Sequence, residues 1–200
     1  MIIGISGVAG VGKDTLYSII SSKINCKRFS LGDELKKEVR GWCKEHYLID
    51  PLNCYRYEKE TIRDFLVFHA SYMRSKTSGR YWIEKISNTI KNDNNKNKII
   101  TDIRYDDYEN DEVSWLKDEL DGVLVHVSQY RMEPRLNVWK KIYKEPANSE
   151  ESRNEPKLRR RADFKIEWPV IKDSDDLEKK LSHYVDELLF QVGYDKLGLK

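Results

Sequence analysis

The sequence predicts an α/β protein with a five-stranded parallel sheet covered by helices on both faces, making three layers, and a polar insertion late in the chain. Three observations lead there. Short apolar, β-branched runs alternate with longer segments whose apolar residues recur at helical spacing. The first such run passes through a glycine-rich turn straight into a helix. The length, 200 residues with 39% hydrophobic and 11% aromatic content, suits one domain with a full core.

Taken in order, Ile2-Ile3-Gly4-Ile5-Ser6 reads as a buried strand and Gly7 to Gly12 as the turn. From Lys13 a helix carries Leu16, Ile19, Ile20 and Ile24 on one face. Lys27 to Leu31 is a second short strand. Gly32-Asp33 opens a helix through Leu35, Val39 and Trp42, with Asp33 as its expected N-cap. Asp50-Pro51 marks a loop. Lys59 to Met73 is helical through Ile62, Phe65 and Leu66, and Ser78-Gly79 breaks it. A further helix runs from Tyr81 through Ile86 and Ile90, and Lys91 to Lys98 is a solvated turn.

Ile99-Ile100-Thr101-Asp102 reads as a third strand ending on a carboxylate. Val113, Trp115, Leu116 and Leu120 mark the next helix, and Val123 to Val127 the fourth strand. Gln129 to Arg161 is rich in Arg, Lys, Glu, Asn and Pro. It reads as a mobile insertion, partly helical around Leu136 to Tyr143. Phe164 to Trp168 is the fifth strand. Ser174 is the expected cap of a last helix with Leu177, Leu181, Val185 and Leu188 inward.

Charge and composition exclude several classes. A net charge of +2 gives no global field to attract nucleic acid or anionic lipid. No apolar run approaches the ~18 residues of a membrane span, and the first residues lack the pattern of a signal peptide. A cytoplasmic protein with no membrane and no stable nucleic-acid partner is therefore expected. Cys26, Cys43 and Cys54 form no CxxC pair, so neither a disulfide framework nor a zinc site is expected.

The chemistry concentrates at Gly7-Val8-Ala9-Gly10-Val11-Gly12-Lys13, which matches the phosphate-binding pattern GxxxxGK. Glycines let the backbone turn its N–H groups onto an anion, and the helix opening at Lys13 aims its positive end at the same point. Gly7, Gly10, Val11, Gly12, Lys13, Asp14 and Thr15 are thus the candidate ATP-binding residues, with Lys13 catalytic. Asp102 at a strand end and Asp14 in the loop are the candidate Mg²⁺ residues. Asp14 stands where Ser or Thr is usual, and Thr15 is the alternative hydroxyl.

These residues, from Ser6-Gly7 through Gly12-Lys13-Asp14-Thr15, resemble the loop of viral and phage deoxynucleoside monophosphate kinases. The resemblance extends through Phe29 to Lys36, Thr61 to Leu66, Met73-Arg74, Tyr81-Trp82-Ile83, Thr101 to Tyr105, Asn148 to Glu150 and Ala162 to Ile166. His69 to Tyr72 lacks the family's Gly-Thr, and the Glu that usually follows Asp-x-Arg is displaced to Glu109 or Glu112. Animal-type phosphomevalonate kinases share the same loop and the Asp-x-Arg layout.

The resemblance implies a P-loop nucleoside monophosphate kinase-like fold in one domain over 1–200. A monophosphate-binding segment then covers about 33–90 and a lid about 129–161. It implies ATP- and Mg²⁺-dependent transfer to a deoxynucleoside monophosphate. Arg63, Arg74 and Arg104, aided by Lys36, would clamp the acceptor phosphate, since arginine's planar fork binds phosphate oxygens in pairs. Asp33 and Trp82 would line the acceptor's sugar or base. Arg131 and Arg135 would close over the donor, making Lys13, Arg104 and Arg131 the catalytic set. A homodimer stays open. The rival readings are a phosphomevalonate kinase-like enzyme and a P-loop protein that binds nucleotide without transfer.

Overall fold

The computed structural model describes residues 1–135, 138–171 and 176–194. Its strands are β1 (Ile2–Ser6), β2 (Lys27–Phe29), β3 (Lys98–Ile100), β4 (Val123–Arg135), β5 (Val138–Tyr143) and β6 (Phe164–Pro169). The helices among the described residues are α1 (Lys13–Lys23), α2 (Leu31–Tyr47), α3 (Arg56–Lys76), α4 (Tyr81–Lys91), α5 (Glu112–Ser114), α6 (Ser149–Arg161) and α7 (Leu177–Gln191). α5 runs directly into a π-helical turn, Trp115–Glu119.

Five strands are parallel, in the order β2-β3-β1-β4-β6. Alternation along each strand sends side chains to opposite faces. Ile3, Ile5, Ile99, Val125 and Val127 join one core with Leu16, Ile19 and Ile20 of α1 and Leu181, Val185 and Leu188 of α7. Ile100 and Leu124 face the other core, with Ile83, Ile86 and Ile90 of α4, Trp115, and Leu158 of α6. Each fully buried aliphatic side chain contributes roughly 1.5–3 kcal/mol, so the two cores hold the sheet in place. A third cluster, Val39, Cys43, Ile62 and Leu66, packs α2 against α3. The α/β architecture with a parallel sheet between helical layers is the one read from the sequence.

Three readings are corrected. Residues 138–143 are a strand, not a helix: β5 pairs antiparallel with the end of β4, from Arg135 opposite Val138 to Tyr130 opposite Tyr143. The sheet therefore has six strands. The expected helical stretch began at Leu136, which lies outside the described residues. The chain from Ser149 to Arg161 is a regular helix whose N-cap, Asn148, accepts from the Glu151 N–H. The N-cap of α2 is Ser30, whose hydroxyl accepts from the Asp33 N–H at 3.1 Å; Asp33 itself sits in the first turn. The expected cap Ser174 lies outside the described residues.

Candidate active site

The loop between β1 and α1 holds its shape through conformations that only glycine adopts without strain. Gly7 (φ 129°) and Gly12 (φ 96°) both have positive φ. A Cβ on Gly7 would lie 2.3 Å from the Val127 carbonyl oxygen, and one on Gly12 2.8 Å from the Trp168 ring. The indole N–H of Trp168 donates to the Val11 carbonyl at 2.8 Å, fixing the loop to β6. Lys13 opens α1 and turns its ammonium inward, onto the carbonyls of Gly7 (2.6 Å) and Val8 (2.9 Å). Burial pushes its pKa down to about 8, and the Arg104 charge pushes the same way. A cation so placed gains from any anion that reaches the loop.

The loop forms one end of a cavity of about 790 Å³ at the carboxyl ends of the strands. Its other end is built from the start of α2, the first half of α3 and the segment Thr101 to Tyr105 that follows β3, with residues 144–151 along one side. Seven cationic side chains line it: Lys13, Arg28, Lys36, Lys59, Arg63, Arg104 and Lys144. Most have local partners. Lys36 and Arg28 hold Asp33 between them at 2.8 and 2.6 Å, and Arg63 pairs with Glu60 one turn earlier at 2.6 Å. Lys59 forms no ion pair among the described residues. Enclosure and the nearby Lys36, Arg104 and Arg63 charges lower its pKa. Leu35, Leu66, Val67, Ala70 and Trp82 supply an apolar wall beside these cations.

Asp102 does structural work at this rim. Its carboxylate accepts from Leu31 N (2.9 Å), Gly32 N (2.6 Å) and the Ser30 hydroxyl (2.9 Å), anchoring the positive start of α2 to the end of β3. The same carboxylate lines the cavity with Asp14 and Thr15. Mg²⁺ is held by one or two carboxylates together with waters and substrate phosphates, and this set of hard oxygens fits it. Among the described residues no three His, Cys, Asp or Glu side chains converge as a separate metal cage.

The structure thus brings Gly10, Gly12, Lys13, Asp14, Thr15, Lys36, Arg63, Trp82, Asp102 and Arg104 to one cavity. Gly7 and Val11 shape the loop from behind, and Asp33 orients Arg28 and Lys36. Trp82 is buried, and its N–H donates to Ala70 O at 3.3 Å.

Three arginines are placed elsewhere. Arg74 is buried beside the cavity, not in it. It donates to Asp111 at 2.9 and 2.7 Å and to Glu112 at 3.1 Å, with its guanidinium 3.6 Å from the Tyr105 ring centroid. Two carboxylates already satisfy it, so it is not free to clamp a phosphate. Arg131 and Arg135 lie on the exposed β4–β5 hairpin beside Glu133, outside the cavity lining.

Sequence reasoning missed Arg28, Lys59, Lys144 and Glu151. None carries a local pattern; only the fold brings them to the cavity. Of the two carboxylates Glu109 and Glu112, Glu112 is the one that meets the Asp102-x-Arg104 segment. It accepts from the backbone of Arg104 (2.7 Å) and Tyr105 (3.1 Å), shaping the rim from below. Burial pushes its pKa above the usual carboxylate range, against the pull of Arg74.

No protein-family model matches the chain, and no curated protein matches it. Among solved structures, the chain is similar to shikimate kinase from Aquifex aeolicus vf5, at 16% identity and TM-score 0.43 over 99% of each chain. It is similar to dephospho-CoA kinase from Campylobacter jejuni, at 14% identity and TM-score 0.49 over 96% of this chain and 98% of that one. A gluconokinase from Sinorhizobium meliloti 1021 gives 12% identity and TM-score 0.42, over 97% of this chain and 96% of that one. No helix among the described residues is long and apolar enough to cross a membrane.

Proposed function

We propose that this protein is an ATP- and Mg²⁺-dependent phosphotransferase acting on a deoxynucleoside monophosphate. The observation that carries the reading is a single cavity with a phosphate loop at one end and a second group of cations, Lys36, Lys59 and Arg63, at the other. Such an arrangement suits two anions meeting, and the Arg104 charge acts on both Lys13 and Lys59. Hydrolysis alone would need no second anion site.

In this reading the loop amides and Lys13 bind the donor's terminal phosphates, and Asp14 and Asp102 would hold hydrated Mg²⁺. Bound Mg²⁺ would neutralise phosphate charge and orient the donor. Lys36, Lys59 and Arg63 hold the acceptor phosphate, with Arg104 on the group in transfer. The apolar wall of Leu66, Ala70 and Trp82 receives the base. An acceptor phosphate oxygen forms the new bond to the γ-phosphorus as the bond to the β,γ-bridging oxygen breaks, and ADP leaves with that electron pair. The acceptor is already an anion, so no general base is required; positioning and charge stabilisation carry the catalysis.

The test is a coupled assay with ATP, Mg²⁺ and a panel of deoxynucleoside monophosphates, ribonucleoside monophosphates and phosphomevalonate. ADP release dependent on a deoxynucleoside monophosphate is expected. Transfer to phosphomevalonate alone, or to nothing, sinks the reading.

A further inference from the structure

Glu151 makes a contact that the phosphotransfer reading does not use. It lies in the first turn of α6, remote in sequence from the loop it touches. One carboxylate oxygen accepts from the backbone N–H of Ala9 at 3.1 Å and of Ala147 at 3.0 Å. The other accepts from the Arg104 guanidinium at 3.1 Å. The side chain is only 11% exposed. These two amides, with the Arg104 and Lys13 charges, hold its carboxyl below the usual range despite burial. Seven residues earlier, Lys144 donates to the Gly10 carbonyl at 3.1 Å.

Ala9 lies inside the phosphate loop, and its N–H is one of the donors the loop can offer an anion. Arg104 is the rim cation nearest the loop's own lysine in effect. A carboxylate bonded to both already occupies an anion position. Lys13 is meanwhile turned onto the Gly7 and Val8 carbonyls, so this ammonium and the Ala9 N–H both have partners within the chain.

We infer that Glu151 is an internal anion that occupies the phosphate loop until an incoming phosphate displaces it, so the segment at residues 144–151 acts as an autoinhibitory latch. The inference rests on the reading of residues 7–13 as a phosphate cradle. Its consequence is competition: two like charges cannot share Ala9 N–H and Arg104, so each bound phosphate must first release the carboxylate. The side chain then swings free, and Arg104 becomes available to the ligand.

The test is calorimetric binding of inorganic pyrophosphate to the full chain, wild type against Glu151→Gln. Removing one close like charge should tighten binding roughly five- to thirtyfold. Glu150→Gln is the control. It removes the same charge one residue away, where Glu150 pairs with Arg153 rather than the loop, and should change affinity little. Equal or weaker binding by Glu151→Gln overturns the latch. Should that variant not fold, carbon NMR of the wild-type glutamate carboxyls answers instead. The Glu151 resonance should move with pyrophosphate at the same midpoint as the Ala9 amide, and a resonance unmoved at saturation overturns the inference. Neither readout requires transfer. A silent coupled assay beside tightened pyrophosphate binding would remove the phosphotransfer reading and leave the latch standing.

Discussion

The two ends of the cavity reach the same positive character by opposite routes. The loop end comes from consecutive residues, and its lysine is buried with a lowered pKa. The far end is assembled from α2, α3 and the end of β3, and two of its cations pair across one helical turn, Lys36 with Asp33 and Arg63 with Glu60. Pairs of that kind are worth only about 0.3–0.5 kcal/mol, so these side chains can turn to a ligand at little cost. Lys13 carries its charge at a real desolvation cost, which a phosphate bound as proposed would offset. In that reading the loop end is a fixed cradle that trades stability for charge, and the far end is an adjustable grip.

Lys13→Met should break the cradle most visibly. Turnover should fall about a thousandfold or more, because in the proposed reading the charge acts on the group in transfer. The same variant should be more stable than wild type without ligand. The folded pKa of about 8 lies below the ordinary 10.5, so at pH 7 the wild type keeps a proton that folding disfavours, a penalty of up to about 3 kcal/mol. Wild-type stability should rise between pH 8 and 10.5, and the variant should lack that rise. Urea denaturation at pH 7 and pH 10 checks both signs. A less stable variant at pH 7 would mean Lys13 is a structural cation.

Arg74→Ala should break the fold under the grip instead of the grip itself. Removing the cation of this buried cluster leaves the Asp111 carboxylate uncompensated, at roughly 3–5 kcal/mol. The melting temperature should fall sharply. A stable variant with a raised acceptor KM would return Arg74 to the cavity.

Arg63→Ala and Lys59→Ala test the grip directly. Each should raise the acceptor KM roughly ten- to a hundredfold, the size of a lost charged hydrogen bond, while the ATP KM stays within about threefold. Thermal melts should stay near wild type, since neither side chain is in the core. Equal effects on both substrates would show that the cavity has no separate acceptor end.

This contrast also explains what could be read in advance. The loop was legible because its chemistry is contiguous: glycines, a lysine and the strand and helix on either side lie within one stretch. Asp102 and Arg104 could be placed at the rim because they follow closely on β3, although the strand ends at Ile100, two residues before the expected Asp102, and hydrogen bonds to the start of α2, Glu112 and Glu151 hold them there. Arg74 was misread because its partners, Asp111 and Glu112, are 37 and 38 residues away, and no spacing rule links them. The insertion was misread because its helix buries only Asn154 and Leu158, too few positions to show a period. β5 likewise has no buried position, so its alternation carries no apolar signal. Glu151 and Lys144 were hidden for the same reason: their place depends on where that segment returns to the sheet.

The smallest expected effect belongs to Arg131. It sits on the β4 extension, two-thirds exposed, and pairs with Glu133 at 2.5 Å. Strand alternation places Arg131, Glu133 and Arg135 on one face of the hairpin, where the carboxylate lies between the two arginines. The hairpin's charge is thus balanced locally, in the open, where screening leaves such pairs about 0–1 kcal/mol. Arg131→Ala should change kcat and both KM values by less than about threefold. Lys144→Ala, which removes a side chain that reaches the Gly10 carbonyl, should affect the donor KM more. A loss above about tenfold in kcat for Arg131→Ala, with the ATP KM unchanged, would mean the hairpin folds over the donor during turnover. The cradle would then be completed by a remote segment, and the two ends of the cavity would be built more alike than the present geometry has them.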